Sequence, residues 1–302
     1  MTELLAASKA ISTPPRPADY SEGMSYLQSL PSRLVTLYLP LTIIVVVLLF
    51  PFYWMALTAI KPNEQLLNLD AYSPFWTWRP TLAHIERLLF RSQYPLWLWN
   101  TMLVAICATM LSIIASVLAA YAIVRLRYRG AQWVGGAIFL AYLIPPSILF
   151  IPLSTVVFQY GLFDTPFALI LTYPTILIPF STWLLMGYFK TIPFELEECA
   201  LIDGASRWQI LTKIVLPLAI PGIVAAFILS LVLCWNEYFF AALLTSTDAK
   251  TLPVMVASQT GSQGINWWSM AALSTAAIAP LVIVGIFLER YIVSGLTTGA
   301  GK

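Results

Sequence analysis

The chain has 302 residues, of which 59% are hydrophobic and only 10% are charged, and its mean hydropathy is +0.81. A soluble domain carries roughly 25% charged residues, so the composition indicates a protein that faces lipid or other helices. The net charge of +2 argues against a nucleic-acid surface, and three distant cysteines with one histidine argue against a disulfide framework or a zinc site.

The first part of the chain contains several prolines and no long apolar run, so residues 1–33 are predicted to be a cytoplasmic tail rather than a signal peptide. Residues 34–294 are predicted to be an all-α polytopic membrane domain, because a bilayer core of about 30 Å needs ~20 apolar residues in helical form. Six runs reach this length: Leu34–Ile60, Trp97–Val124, Trp133–Tyr160, Phe167–Phe189, Leu218–Thr245 and Met270–Tyr291.

Most of the 16 lysines and arginines flank span ends on the same side as the N-terminus, including three in the tight loop from Arg125 to Arg129. The positive-inside rule then predicts that both termini are cytoplasmic. Prolines inside several spans predict kinked helices, which favour a transporter over a simple anchor. They are Pro40, Pro51, Pro145, Pro146, Pro152, Pro174, Pro179 and Pro280.

Two extracytoplasmic loops are predicted, at residues 61–96 and 246–269. The first is expected to hold a short helix near Leu82–Phe90. Both loops contain tryptophans, among them the pair Trp267-Trp268. Such aromatics have two readings, an interfacial belt or a docking surface for an extracytoplasmic partner, and the sequence leaves both open.

The loop at residues 190–217 is too polar to cross a membrane. Thr191 and Pro193 predict the start of a short helix, which Gly204 ends. Ser206 followed by Gln209 predicts a capping box that opens a second helix, and we expect Pro217 to close that helix and begin the fifth span. The prediction is a rigid helical hairpin on the cytoplasmic face, against the alternative of an ordinary solvated connector.

Glu237 is the acidic residue that falls well inside a predicted span. A charge at that depth costs ~2.5–3.5 kcal/mol on insertion scales, so the carboxylate should face the protein interior or water. Together with Asn236 it lines a translocation path in one reading and forms a helix-fixing internal hydrogen bond in the other. Tyr173 and Thr175 in span four are further candidate path residues.

The segment Glu198-Cys199-Ala200, then Gly204, then Ile214-Val-Leu216-Pro217 resembles the EAA loop of bacterial ABC importer permeases, with Cys199 where alanine is usual. Trp235-Asn-Glu-Tyr238 and the ending Gly295–Lys302 are similar to the maltose-type carbohydrate subfamily. The resemblance implies a type I ABC importer permease: six kinked transmembrane helices with a cytoplasmic coupling hairpin, in a bacterial inner membrane.

The resemblance also implies partners: a second homologous permease, an ATPase dimer, an extracytoplasmic solute-binding protein and a sugar. ATP and Mg would be used by the ATPase subunits, and no cofactor is expected on this chain, whose Leu296 stands where a P-loop ending at Gly301-Lys302 needs glycine. The cytoplasmic tail 295–302 is expected to reach between the ATPase subunits. The residues implied to contact the ATPase are Glu198, Cys199, Ala200, Asp203, Gly204, Arg207, Ile214, Leu216 and Pro217, and those implied to contact the binding protein are Gln259, Gly261, Gln263 and Trp267.

Two other functions compete with this one. An ion-coupled secondary carrier usually buries several ionisable groups, whereas these spans offer Glu237. A membrane-embedded enzyme needs a nucleophile–base or metal constellation, which the residues do not suggest. The identity of the sugar or polyol is left open.

Overall fold

A computed structural model describes residues 30–300 apart from residues 69, 70, 127, 262, 263 and 266. Most of the predicted N-terminal tail, Gln263 and the last two residues therefore lie outside the described part. The chain divides after Trp54 into two compact units, residues 30–54 and residues 55–300. The second unit contains all the features discussed below.

The regular secondary structure of the described residues is helical, as predicted. The exception is one short antiparallel hairpin. That hairpin pairs β1 (Thr260–Gly261) with β2 (Gly264–Ile265). The helices are α1 (Leu30–Ile60), α2 (Asn63–Leu67), α3 (Ala83–Arg91), α4 (Tyr94–Arg125), α5 (Ala131–Tyr142), α6 (Pro146–Gln159), α7 (Pro166–Thr172), α8 (Pro174–Phe189), α9 (Glu195–Ile202), α10 (Arg207–Trp235), α11 (Phe239–Leu244), α12 (Leu252–Ala257) and α13 (Trp267–Ala300).

Within the described residues, five helical stretches are long and apolar enough to cross a membrane, and a sixth is formed if α5 and α6 count as one broken span. The third predicted span, Trp133–Tyr160, is sharply bent where its prolines predict a kink, because α5 and α6 meet at an angle of 94°. Pro145 adopts an extended backbone and Pro146 opens α6. Consecutive prolines remove two backbone donors and force this break.

The fifth span also differs from its prediction. It starts at Arg207 rather than Leu218, because the second helix of the hairpin continues into the membrane without a stop at Pro217. A π-helical turn at Leu211–Val215 shifts the hydrogen-bond ladder just before that proline, which accommodates its missing N–H. The helix then ends at Trp235, well before the predicted end, and the chain turns before α11.

The core lies between α4, α8 and α10, which pack against one another along the bundle. One apolar cluster, which includes Leu169 and Phe240, fills the end near α11, and a second, which includes Phe189 and Ile210, fills the end near α9. Close approach of α10 to α8 depends on Gly222, where a Cβ atom would overlap the ring of Tyr188.

We predict that Gly222→Ala lowers the stability of the purified protein by about 1–3 kcal/mol, since the added methyl group overpacks the contact between α10 and α8. Gly187→Ala is the matched control, because open space surrounds that glycine. Thermal unfolding in detergent measures both. Equal melting temperatures for the two variants would contradict the packing described here.

Candidate functional site

The polar hairpin between α8 and α10 has the predicted caps. Gly204 has φ of +80° and ends α9 in the left-handed region. The capping box is present, because the Ser206 backbone N–H donates to Gln209 Oε1 at 2.8 Å and the Gln209 N–H donates to Ser206 Oγ at 3.3 Å. The first helix begins at Glu195, slightly later than predicted. Both halves are thus fixed by local hydrogen bonds.

The hairpin presents most of its predicted contact residues to the outside. Ala200 is buried under the hairpin, and Ile214 and Leu216 are half-buried where it joins the bundle. Ile202, beside the turn, is 86% exposed, which is unusual for so large an apolar side chain. The exposed members of the predicted set are Glu198, Cys199, Asp203, Gly204, Arg207 and Pro217.

The hairpin is tied to the bundle by a buried ion pair. Arg125, the last residue of α4, places its Nε 3.2 Å from Oε1 of Glu197, which is fully buried in α9. Arg125 also donates hydrogen bonds to the carbonyl oxygens of Phe189 and Ile192, the latter at 2.7 Å. Tyr121 donates to the other oxygen of Glu197 at 3.4 Å. We call Tyr121, Arg125 and Glu197 the hairpin anchor.

The anchor gives each of its buried charges an opposite charge and at least one hydrogen bond. A lone buried charge is strongly unfavourable, whereas a pair with further hydrogen bonds offsets its desolvation. The Nε–Oε1 contact is electrostatic rather than a well-aligned hydrogen bond, and the guanidinium also lies over the ring of Phe194, 5.8 Å from its centroid. The sequence did not predict that Arg125 and Glu197 form a buried ion pair. Arg125 fits the positive-inside rule, and Glu197 is one of three acidic residues near the start of a helix.

We predict that Glu197→Gln destabilises the protein by about 3–5 kcal/mol, because it leaves Arg125 buried without its counter-charge. The neighbouring Glu198→Gln makes the same chemical change on an exposed side chain and should leave the melting temperature unchanged. Thermal unfolding of the two variants in the same detergent gives the comparison. If Glu197→Gln melts with the wild type, the ion pair does not anchor the hairpin.

At the other end of the bundle, the carboxylate of Asp164 holds a loop. It accepts backbone N–H groups from Ser246, Thr247, Asp248 and Ala249 at 2.8–3.1 Å. Partial burial raises the pKa of Asp164, but these donors together outweigh burial and hold the pKa below its usual value. Asp164 itself has φ of +58°, which is uncommon for a residue other than glycine.

The same loop is held from its other side by the start of α4. The buried side-chain amide of Asn100 donates to the carbonyl oxygens of Asp248 at 2.7 Å and Lys250 at 3.1 Å. The Thr101 hydroxyl accepts the N–H of Leu252 at 2.9 Å. We call Asn100, Thr101 and Asp164 the loop clasp. Its members were not among the predicted site residues, since a loop aspartate and a helical asparagine carry no distinctive sequence signal.

We predict that Asp164→Asn exposes residues 246–249, with backbone amides exchanging about tenfold faster, because neutral hydrogen bonds are roughly half as strong as charge-assisted ones. Asn tolerates the left-handed backbone. Asp248→Asn is the control, since the Asp248 side chain is exposed. Hydrogen-exchange mass spectrometry measures both, and equal exchange in the two variants would contradict the clasp.

The clasp also has a defined pH dependence. Because the folded-state pKa of Asp164 is depressed, its stabilisation is fully present above the unfolded value of about 3.9 and is lost as the pH falls through the folded pKa. Protection of residues 246–249, relative to intrinsic exchange rates, should therefore be the same at about pH 7 and about pH 5.

Three of the four predicted path residues, Tyr173, Asn236 and Glu237, lie at one cavity or at the break in the fifth span. Tyr173 and Glu237 line a cavity of about 130 Å³. Both oxygens of Glu237 accept backbone N–H groups at the start of α11, from Phe240 at 3.0 Å and Ala241 at 3.3 Å. Asn236 donates to the carbonyl oxygen of Val232 in α10, and Thr175 donates to that of Thr172 at the end of α7. Glu237 thus fixes a helix start and also lines the cavity.

The predicted binding-protein contacts follow the clasped loop in the chain. Gln259 is half-buried and donates to Met255 at 3.2 Å. Gly261 pairs with Gly264 in the short strand hairpin, while Gln263 lies outside the described residues. Trp267 opens α13 and is 60% exposed. The loop at residues 61–96 contains α3, as predicted.

This arrangement, a bundle of apolar spans with an anchored polar hairpin at one end, is that of a multi-pass membrane protein. Residues 112–298 match the family described as "Binding-protein-dependent transport system inner membrane component". The chain belongs to that family, and it is a multi-pass inner-membrane protein.

Curated relatives match along nearly their whole length. The inner membrane ABC transporter permease protein YcjP of Escherichia coli is 32% identical, over 88% of this chain and 95% of the relative. The trehalose/maltose transport system permease protein MalG of Thermococcus litoralis is 34% identical, over 85% and 92%. The trehalose transport system permease protein SugB of Mycobacterium tuberculosis is 33% identical, over 86% and 95%.

Solved structures share the fold. A chain of a bacterial ABC transporter that imports the acidic polysaccharide alginate matches with a TM-score of 0.72 at 22% identity, over 87% of this chain and 98% of that one. A chain of the alginate transporter in complex with its pentasaccharide-bound periplasmic protein matches with a TM-score of 0.63 at 17% identity, over 89% and 98%.

Proposed function

We propose that this chain is the membrane-spanning permease subunit of a binding-protein-dependent sugar importer. The relatives named for maltose and trehalose transport support the substrate class. Family membership favours this function over an ion-coupled secondary carrier, and so does Glu237, whose two carboxylate oxygens are already engaged by backbone donors.

The observation that carries the proposal is the anchored hairpin. It exposes Glu198, Asp203 and the large apolar side chain of Ile202 on a rigid turn. A flexible connector would lose an applied displacement, whereas a capped turn fixed by a buried ion pair passes that displacement to the spans. The hairpin is therefore the surface through which a soluble motor acts on the bundle.

The proposed assembly contains four further chains. An ATPase dimer, which uses ATP and Mg, binds the hairpins of this chain and of a second homologous permease, and a solute-binding protein docks on the opposite face. The hairpin face and both termini are cytoplasmic, in agreement with the basic residues that flank that side. Chemistry is assigned to the ATPase, and this chain supplies positioning and a path.

The proposed path passes the cavity lined by Tyr173 and Glu237. The break between α10 and α11 places Asn236 and Glu237 where the fifth span has lost regular helix. Irregular backbone at membrane depth is tolerated where it borders protein or a water-filled cavity. This makes the break the natural place for a polar solute to pass.

A native cysteine tests the proposal. Cys199 is exposed on α9, whereas Cys234 is buried and Cys107 is half-buried within α4. A short thiol-specific photo-crosslinker placed on Cys199 should join this chain to the ATPase subunit in the purified complex. Cys199→Ser is the control and should abolish the product.

Mass spectrometry of the product identifies the partner chain. Nucleotide should alter the yield, since closure of the ATPase dimer moves the hairpin. A complex in which Cys199 reacts but never captures an ATPase chain would overturn the proposed coupling role.

A further inference from the structure

Both functional ends of the bundle are attached to one helix. The loop clasp uses Asn100 and Thr101 in the second turn of α4, and the hairpin anchor uses Tyr121 and Arg125 in its last turns. Asn100 and Arg125 are both buried. About 38 Å of helix separates them at 1.5 Å per residue. Each end thus grips a different docking element through buried polar contacts.

The backbone of α4 is unusual among the long helices of the described residues. It has a proline only in its first turn, at Pro95, and contains no glycine. The other four long stretches each carry a proline in their interior, namely Pro51, Pro179, Pro221 and Pro280. Each internal proline removes a backbone hydrogen bond and weakens the helix at that position. The unbroken ladder of α4 makes it the stiffest connection between the two ends.

Neighbouring helices pack against α4 along its length. Ala108, Ser112, Ser116 and Ala120 recur every four residues, so they lie on one face of the helix, and all four are fully buried. Small residues let neighbouring helices approach closely. Ser116 also donates to the carbonyl oxygen of Ile178 in α8 at 3.1 Å. The helix is therefore supported between its ends as well as fixed at them.

We propose that α4 is a rigid strut that carries the docking signal of the solute-binding protein from the clasped loop to the coupling hairpin, with Asn100 and Arg125 as the positioning residues at its two ends. The inference rests on the proposed function, because it assigns the binding protein to the loop face and the ATPase to the hairpin face. It adds a specific route for the signal between them.

A displacement of the clasped loop can reach the hairpin through α4. A push on residues 246–252 reaches Asn100 through two hydrogen bonds to backbone carbonyls. A helix without a hinge moves as one body, so Arg125 moves with Asn100. Separating Arg125 from Glu197 would leave two unpaired charges in the protein interior, which is strongly unfavourable. The helix α9 therefore moves together with Arg125.

The test softens the middle of α4 without touching either end. Ile106 and Met110 are exposed on the same face of the helix, and neither belongs to the clasp or the anchor. The variant Ile106→Gly/Met110→Gly adds backbone freedom, and Ile106→Ala/Met110→Ala removes the same side chains while keeping a stiff helix. Each is assembled with its full set of partner subunits in lipid nanodiscs, and ATP hydrolysis is measured with and without saturating binding protein.

The glycine variant should lose at least about threefold of the stimulation by binding protein, with basal hydrolysis equal to that of the alanine variant, since only the strut is softened. Equal stimulation in the two variants would overturn the strut. If the wild-type complex itself shows no stimulation, the proposed function fails rather than the strut.

A second measurement does not depend on the glycine variant assembling. Asn100→Ala loosens the clasp and Tyr121→Phe loosens the anchor, and the two sites are too distant to interact directly. Independent sites contribute additively in free energy, so their fold-losses in stimulation would multiply. If both act through one strut, a substitution that uncouples one end leaves no signal for the other end to transmit. The double variant should then lose no more stimulation than the worse single variant. Multiplied losses would overturn the proposal.

Discussion

The burial of Arg125 against Glu197 is the constraint on which the rest of this architecture depends. Neither charge can leave the other without a large desolvation cost, and both sit where α4, α8 and α9 meet. The hairpin consequently has no freedom to move by itself. Any displacement applied to α9 must move the bundle, and any change in the bundle must move α9.

The two ends of the bundle each hold a surface segment in place, and they do so through different kinds of contact. At the hairpin, one buried ion pair joins two helices. At the loop, Asp164 gathers successive backbone N–H groups, and Asn100 binds backbone carbonyl groups of the same segment. A loop held through its backbone keeps its shape whatever its side chains do, and the side chains of Ser246, Thr247 and Asp248 are exposed.

Sequence patterns predicted the local features of this fold and missed its long-range ones. The spans, the left-handed Gly204 and the capping box of Ser206 follow from apolar length and residue chemistry within a few positions. The anchor and the clasp depend on residues far apart in the chain, so no local pattern pairs Arg125 with Glu197 or Asp164 with Ala249.

Proline positions did not reliably predict where the spans break, because residues distant in the chain also decide this. Pro145 and Pro146 break the third span, yet Pro51 and Pro217 lie in helices that continue. The fifth span breaks after Trp235, where there is no proline at all. Whether a lost hydrogen bond bends a helix is decided by what surrounds it, and neighbouring residues in the sequence do not report those surroundings.

The close contact between Gly222 and Tyr188 holds the fifth span against α8 near its middle. Because α10 runs from Arg207 in the hairpin to Trp235 near the cavity, this tight crossing sits close to its midpoint and acts as a fulcrum with arms of similar length. In the proposed importer, the hairpin end of α10 and the end that precedes Asn236 and Glu237 therefore turn about one common point.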